Sequence, residues 1–291
     1  EEDNLWVTKL TNGEIYTSRY LVSATGLFGP PKLPDIDGIE TFSGHIMHTG
    51  AWEHEYDLSD KRVGVIGTGA TAIQVIPEIV PIVEHLSVFQ RTPIWLLPKP
   101  DIIFSERIKK LFRVLPFTQK VLRLITHFFN EILFGIGFSH NRQFPWLFQW
   151  LKKLGISHTR KQVEDPTTQE KLTPQYDFFC KRPSFSNVYF PVFNEPNVDL
   201  VTDPISRIQG NSVQTHDGHS IQLDALICAT GFSVFDENIV PSFKTFGLKG
   251  IELGAYWQQN RFTSFQGISV PNFPNYFMIF GPYSAASASW F

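Results

Sequence analysis

The sequence predicts an α/β chain built around a Rossmann-like dinucleotide fold, and three observations lead there. A short apolar strand, Val63-Gly64-Val65-Ile66, runs straight into Gly67-Thr68-Gly69-Ala70-Thr71-Ala72. A second apolar strand, Leu86-Ser87-Val88-Phe89, follows at the distance expected of a βαβ unit. Around this unit, one strand-turn-strand pattern occurs twice, once near each end of the chain.

The glycine-rich turn has the form GxGxxA, with Ala in place of the third Gly where helix meets strand. Gly67 permits the tight turn, and Gly69 lets a pyrophosphate approach the backbone. The helix that opens at Ala70 then offers unpaired N–H groups and a positive dipole end. Ile73, Ile76, Ile79 and Val80 give that helix a buried face, and Pro77 predicts a kink or an early end near it. After the second strand, an NAD site would carry Asp or Glu to accept from the ribose 2′-hydroxyl. Here the residues are Gln90-Arg91-Thr92. A carboxylate would repel a 2′-phosphate, whereas a guanidinium can hold it with two charge-assisted bonds. Arg91 therefore points to NADP(H); the alternative is a solvated surface cation.

In the first copy of the repeat, Trp6 to Leu10 is a strand, Asn12-Gly13 a hairpin turn, and Ile15 to Ser23 a returning strand ending in Ala24-Thr25-Gly26. In the second, Asp217-Gly218 turns into Ile221 to Cys228, ending in Ala229-Thr230-Gly231. Asn-Gly and Asp-Gly are strong hairpin turns because both central positions need positive φ. Tyr20-Leu21-Val22 and Ala225-Leu226-Ile227 are nearly continuous apolar runs, as in parallel strands buried on both faces. Small residues at such strand ends let a cofactor come close to the backbone. Gly29-Pro30-Pro31-Lys32-Leu33-Pro34 reads as a stiff, turn-rich connector suited to a domain crossing.

Composition limits the function classes. A 291-residue chain with 42% apolar and 18% charged residues is ordinary for a globular protein. A net charge of −3 supplies no basic footprint for nucleic acid. Cys180 and Cys228 form no CxxC pair, so neither a disulfide framework nor a metal centre is expected, and a reducing, cytoplasmic setting fits. No signal peptide is visible. The aromatic stretch Phe128 to Trp150 is broken by polar residues and falls short of the roughly 20 apolar residues a spanning helix needs, so no membrane span is expected. Just before and within it, Val121, Leu124, Ile125, Phe128, Phe129, Ile132 and Leu133 recur at helical spacing. That stripe suits core or a packed lid, with a substrate channel or subunit contact as alternatives.

Upstream of the nucleotide strand stand Phe42, Gly44, His48 and Trp52, spaced as FxGxxxHxxxW. This spacing resembles the fingerprint of type I Baeyer–Villiger monooxygenases, within the wider flavin-containing monooxygenase group. The resemblance extends through Gly67 to Gln74, Phe89 to Pro93, Cys180-Lys181-Arg182-Pro183, both Ala-Thr-Gly segments, and Phe273-Pro274-Asn275 leading to Gly281-Pro282.

It implies a flavoprotein with two dinucleotide-binding domains, the NADP domain inserted into an FAD domain that this chain holds only in part. The expected boundaries are 1–40 for the first FAD segment, 41–205 for the NADP domain with a helical insert at about 104–160, and 206–291 for the second FAD segment. Gly67, Thr68, Gly69, Ala70, Thr71, Ala72, Gln74, Arg91, Thr92 and Lys181 would hold NADP. Ala24, Thr25, Gly26, Thr230 and Gly231 would lie at the FAD/NADP interface. His48 and Trp52 would gate rather than catalyse. Arg182 would stand beside the flavin and stabilise the anionic peroxyflavin, then the charge that develops on the substrate.

The reaction implied consumes NADPH and O2 and inserts one oxygen atom into a ketone, giving an ester or lactone, with a small apolar organic substrate. The alternatives are a heteroatom-oxidising relative acting on amines or sulfides, and a non-catalytic NADP-binding module. Two departures stand out. Glu53 occupies a position where the family usually carries Pro or Asp, and no GxGxxG precedes the first Ala-Thr-Gly. The chain opens on Glu-Glu-Asp and is read as part of something longer, inactive alone.

Overall fold

A computed structural model describes residues 5–26, 28–132, 145–178, 180–234, 243–282 and 284. The chain divides into two compact units, residues 1–32 with 232–290, and residues 33–231.

The first unit opens with a hairpin of β1 (Trp6–Lys9) and β2 (Ile15–Ser18), with Gly13 at φ 91° in its turn. The returning strand expected from Ile15 to Ser23 breaks at Arg19-Tyr20, and β3 (Leu21–Ser23) leaves the hairpin for a different partner. The Pro-rich connector is extended rather than turned: β4 (Phe28–Pro31) is a strand. Proline's fixed φ suits an extended edge that needs few donors.

In the second unit, β5 (His45–His48) is followed by β6 (Arg62–Ile66), α1 (Ala70–Ile79) and β7 (His85–Phe89). The helix runs through Pro77 and ends two residues beyond it. Then come the short β8 (Leu96–Leu97), α2 (Glu106–Val114), α3 (Pro116–Asn130), α4 (Pro145–Gln162) and α5 (Pro166–Leu172). Strand β9 (Ser184–Phe185) pairs with β8. After β10 (Val198–Val201), an antiparallel meander of β11 (Ile205–Gln209), β12 (Ser212–Thr215) and β13 (Ser220–Gln222) leads to β14 (Ala225–Cys228).

The central sheet has the order β10-β7-β6-β14-β5, with every pair parallel. Its two faces carry two cores. Val63, Val65, Leu86, Val88, Ala225 and Ile227 pack under Ala72, Ile73, Ile76 and Ile79 of α1. Phe89 and Leu226 face the meander through Ile208, Val213 and Leu223. Burial on both faces is why these strands read as apolar runs. At the N-terminal strand ends, the Arg62 guanidinium donates to both oxygens of Asp224, at 3.1 and 2.8 Å, tying β6 to β14. Those bonds from Arg62 hold the Asp224 carboxyl down at about 2.

Residues 206–231, expected in the second FAD segment, lie instead in the nucleotide unit. The reason is hydrogen bonding: β14 is bedded between β5 and β6. The first unit resumes with β15 (Phe232–Val234), antiparallel to β4, so both connecting segments form one ribbon. It continues with α6 (Leu253–Asn260) and β16 (Tyr276–Met278), which pairs in parallel with β3. Leu253, Trp257, Phe273 and Tyr276 form its core, with Trp6 and Leu21 packed against them.

The helical stripe does not make core. Val121, Leu124, Ile125, Phe128, Phe129 and Ile132 are all exposed, and neither α2 nor α3 contributes a buried residue. Leu133 lies outside the described residues.

Candidate nucleotide site

A ligand of a parallel sheet binds beyond the C-terminal strand ends, where the strand order reverses. Here β6 connects through α1 to β7 on one side and borders β14 on the other, so the reversal falls at Gly67. Gly67 takes φ 113°, and a Cβ there would meet the Ala229 carbonyl oxygen at 2.6 Å. The second Ala-Thr-Gly thus passes directly over the turn, and only glycine fits beneath it.

Gly69 is the N-cap of α1, and a Cβ on it would meet nothing within 4 Å. No side chain caps the helix and no acid stands in its first turn. The leading residues Ala70 and Thr71 are exposed, so their amides face open space with the positive end of the dipole behind them. A phosphate fits there: it would satisfy those donors without displacing protein atoms.

Thr68 is buried, and its hydroxyl donates to the Thr92 carbonyl at 3.0 Å, fastening the turn to the segment after β7. On that segment, Arg91 is exposed and, among the described residues, has no ion pair or side-chain hydrogen bond. A free guanidinium bonded through its neighbour to the phosphate turn suits a 2′-phosphate. Gln74 is turned away, donating to its own helix at the Ala70 carbonyl, 2.8 Å.

Sequence reasoning missed the residues that carry Lys181. The Tyr176 hydroxyl donates to the Pro93 carbonyl at 2.9 Å, and Lys181 Nζ lies 5.4 Å from the centre of the Tyr176 ring. This places Lys181 on the flank of the loop that begins at Arg91. Nothing in the spacing marks Tyr176, because its role comes from a hydrogen bond across more than eighty residues. Gln90 was also overlooked. It is buried at the end of β7 and donates to the Lys171 carbonyl, 2.8 Å, so the strand end is held by α5. A polar residue closing an apolar strand was the available sign. Arg182 is exposed beside Lys181.

The fingerprint spans one whole strand. Phe42 and Gly44 sit at the start of β5, where a Cβ on Gly44 would strike the Asp224 carbonyl oxygen at 2.6 Å and the Phe42 ring at 2.7 Å. His48 ends the strand, beside Cys228 of β14. Its Nδ1 accepts from the Gly50 N–H at 3.0 Å, so the neutral ring carries its proton on Nε2. Burial lowers the His48 pKa, against a smaller opposing effect from a hydrogen bond to the Gly231 backbone. His48 thus reaches the nucleotide end of the sheet, in contact with Gly231 of the second Ala-Thr-Gly. Trp52 packs on the core. Glu53 sits with its carboxylate 3.1 Å from His45 Nε2, out of line for a hydrogen bond, and His45 stacks on Tyr56 at 3.9 Å. His45 and Tyr56, with Gly44, Leu223 and Asp224, line a cleft of about 520 Å³ at the opposite end of the strands, remote from the glycine-rich turn.

Ala24 to Gly26 follow β3 in the first unit, with Gly26 at φ 84°. Thr230 and Gly231 follow β14 in the second, with Gly231 at φ 82°. Among the described residues, no cluster of His, Cys, Asp or Glu could hold a metal, and no helix is long and apolar enough to cross a membrane.

A parallel sheet with a glycine-rich turn at its reversal point, an uncapped helix beyond it and a free arginine beside it defines a dinucleotide-binding α/β protein. By sequence, the chain is similar to Baeyer–Villiger monooxygenases over nearly all of its own length. It is 37% identical to one from Pseudomonas aeruginosa, across 97% of this chain and 52% of that protein. It is 36% identical to one from Streptomyces coelicolor, across 95% of this chain and 53% of the relative. A cyclohexanone 1,2-monooxygenase from Acinetobacter sp. is 32% identical over 97% of this chain and 57% of its own. The chain thus spans about half the length of the curated relatives it matches. No family model matches it. Solved structures of cyclohexanone monooxygenase share the fold. One with ε-caprolactone bound gives a TM-score of 0.79 at 30% identity, covering 97% of this chain and 61% of that one. A variant from Rhodococcus sp. Phi1 bound to NADP+ gives 0.80 at 30%, covering 99% and 61%.

Proposed function

We propose that this chain supplies the NADP-binding part of an NADPH- and O2-dependent flavin monooxygenase that inserts oxygen into a ketone. The observation that carries the reading is the exposed, unpaired Arg91 joined through Thr92 to the turn that presents the α1 amides. The relatives named above are Baeyer–Villiger and cyclohexanone monooxygenases, and one was solved with NADP+.

In this reading, residues 33–231 are the NADP domain, and residues 1–32 with 232–290 belong to the FAD domain. Gly67 to Ala72 receive the pyrophosphate, and Arg91 and Lys181 neutralise the 2′-phosphate. His48, desolvated against Gly231, positions the loop over that turn. Ala24 to Gly26 follow β3 in the flavin part, and Thr230 and Gly231 follow β14 in the NADP part. Among the described residues, Gly67–Ala72 is the one glycine-rich strand-to-helix turn, and it serves NADP rather than the flavin pyrophosphate. When bound, FAD supplies hydride acceptance from NADPH and oxygen activation. Arg182 contributes a permanent cation to negative charge developing on the substrate oxygen, worth about 10² to 10³ in turnover for one such donor.

Calorimetric titration with NADP+ and NAD+ tests the nucleotide part. Arg91→Ala is expected to weaken NADP+ by about 10- to 100-fold, the loss of a charge-assisted pair, while leaving NAD+ unchanged. Gly69→Ala is expected to weaken both while the melting temperature stays put, because its Cβ meets open space in the free protein. Equal loss of both nucleotides in Arg91→Ala would sink the 2′-phosphate assignment. The activity is tested on the full-length, FAD-loaded protein over ketones and sulfides. Arg182→Ala should lower turnover by about 100- to 1,000-fold without changing NADP+ affinity, and failure to form an ester or lactone from any ketone would overturn the reaction class.

A further inference from the structure

Helices α2 and α3 form the largest feature that the nucleotide site leaves unused. They pack against each other, yet neither buries a residue. On α2, Ile108, Leu111 and Phe112 recur at the three-and-four spacing that makes one face, and Leu115 continues the spacing just past its end. On α3, Val121, Leu124, Ile125, Phe128 and Phe129 do the same, and Ile132 continues the spacing two residues past its end. Phe128 and Phe129 of this face stand well out, 57% and 60% exposed, as does Phe117 one turn before Val121, at 59%. Phe112 meets the Phe104 ring at 5.4 Å, edge to face.

The opposite faces are basic. Between Glu106 and Asn130 the chain has Arg107, Lys109, Lys110, Arg113, Lys120 and Arg123 against the single acid Glu106. Lys109 pairs with Glu106 at 2.7 Å, and the other five have no ion pair among the described residues. This local excess of positive charge sits in a chain whose net charge is −3. A core helix has no use for it, and a contact with another copy of an acidic chain would use the charge but not the continuous aromatic face. An apolar stripe flanked by lysine and arginine is the pattern of a helix that lies in the headgroup region of a bilayer. Neither helix is long and apolar enough to cross one.

We propose that the α2–α3 hairpin docks on an anionic phospholipid surface, with the aromatic and aliphatic face among the acyl chains and the cations on the phosphate groups. The proposal does not depend on the reaction assigned above. It gives the exposed apolar residues an occupant whose charge complements the flanks, and it would hold the protein where apolar substrates concentrate.

The test is vesicle co-sedimentation of the full-length protein. Vesicles of phosphatidylcholine with about one third phosphatidylserine should carry it down, with binding that weakens as salt rises. Replacing Lys110, Arg113, Lys120 and Arg123 together by Gln should weaken partitioning on the order of 100-fold or more, at about tenfold or less for each cation near the surface. Ile125→Ser with Phe128→Ser should abolish it while leaving the melting temperature and NADP+ affinity unchanged, since both side chains are exposed. The proposal fails if the protein stays in the supernatant, if neutral vesicles bind it equally, or if the serine variant still sediments. It also fails if residues 106–130 are protected from hydrogen exchange without vesicles, which would show them covered by the protein itself or by a second copy.

Discussion

The two strand-turn-strand segments start from the same local instructions and end in different surroundings. Each turns at Asn-Gly or Asp-Gly, breaks after the returning strand, resumes as a parallel strand, and closes on Ala-Thr-Gly with the glycine at φ 84° or 82°. In the second copy, β14 has parallel neighbours on both sides and all four of its residues are buried. In the first, β3 pairs with β16 as its one partner among the described residues, and Val22 is 55% exposed. Ile227 holds the equivalent place before the second Ala-Thr-Gly and is 0% exposed. Turn chemistry therefore fixes the local path, while burial depends on which strands and helices lie alongside. The same kind of apolar residue is enclosed at one site and lies on the surface at the other.

The largest expected effect separates these equivalent positions. Ile227→Ala empties space under α1 and should cost about 2–5 kcal/mol of unfolding free energy. Val22→Ala should stay within about 0.5 kcal/mol, as an exposed substitution does. Chemical denaturation of the two variants decides it, and equal losses would mean that β3 is as enclosed as β14. Next come the glycines. Gly26→Ala and Gly231→Ala each place a Cβ at positive φ with nothing within 4 Å, so both should cost about 1–2 kcal/mol. Gly67→Ala adds to similar strain a collision with the Ala229 carbonyl, and should cost more than either. If Gly67→Ala proves no worse than Gly231→Ala, the close pass of the second Ala-Thr-Gly over the nucleotide turn is wrong.

The parts of the fold that local chemistry dictates were legible in the sequence. Val63 to Ile66, the glycine turn, the α1 face and Leu86 to Phe89 all follow from periodicity and glycine placement. What escaped was decided at long range. The place of residues 206–231 depends on β14 choosing β5 and β6 as partners, which no pattern within β14 encodes. Tyr176 joins the site through Pro93, and Gln90 through Lys171. The helical stripe was correctly periodic, but periodicity reports that a face is apolar, not what covers it; in α3 that face is exposed. The Pro-rich connector looked like a turn because proline favours turns and extended edges alike, and pairing with β15 selects the edge.

The smallest effect, and the finest test of the repeat, lies in the two hairpin turns. Asn12 accepts from the Glu14 N–H at 3.0 Å, using an amide that does not titrate in the ordinary range. Asp217 accepts from the Thr215 hydroxyl at 2.6 Å and from the His219 N–H at 3.2 Å, with His219 Nδ1 2.8 Å from its other oxygen. These bonds, the Thr215 hydroxyl first, hold the Asp217 carboxyl down at about 2. A depressed carboxyl stabilises the folded turn when it is ionised. Its contribution is complete above about pH 4, the ordinary value for an unfolded aspartate, and is lost as pH falls toward 2. Hydrogen exchange, corrected for intrinsic rates, reads the two turns separately, because the Gly218 N–H donates to the Thr215 carbonyl and the Gly13 N–H to the Leu10 carbonyl. Protection of Gly218 should fall between pH 4 and 2 while that of Gly13 holds. Asp217→Asn should make the second turn as indifferent to acid as the first. If the variant and the native chain lose Gly218 protection together, the acid sensitivity belongs to the surrounding meander and not to the turn.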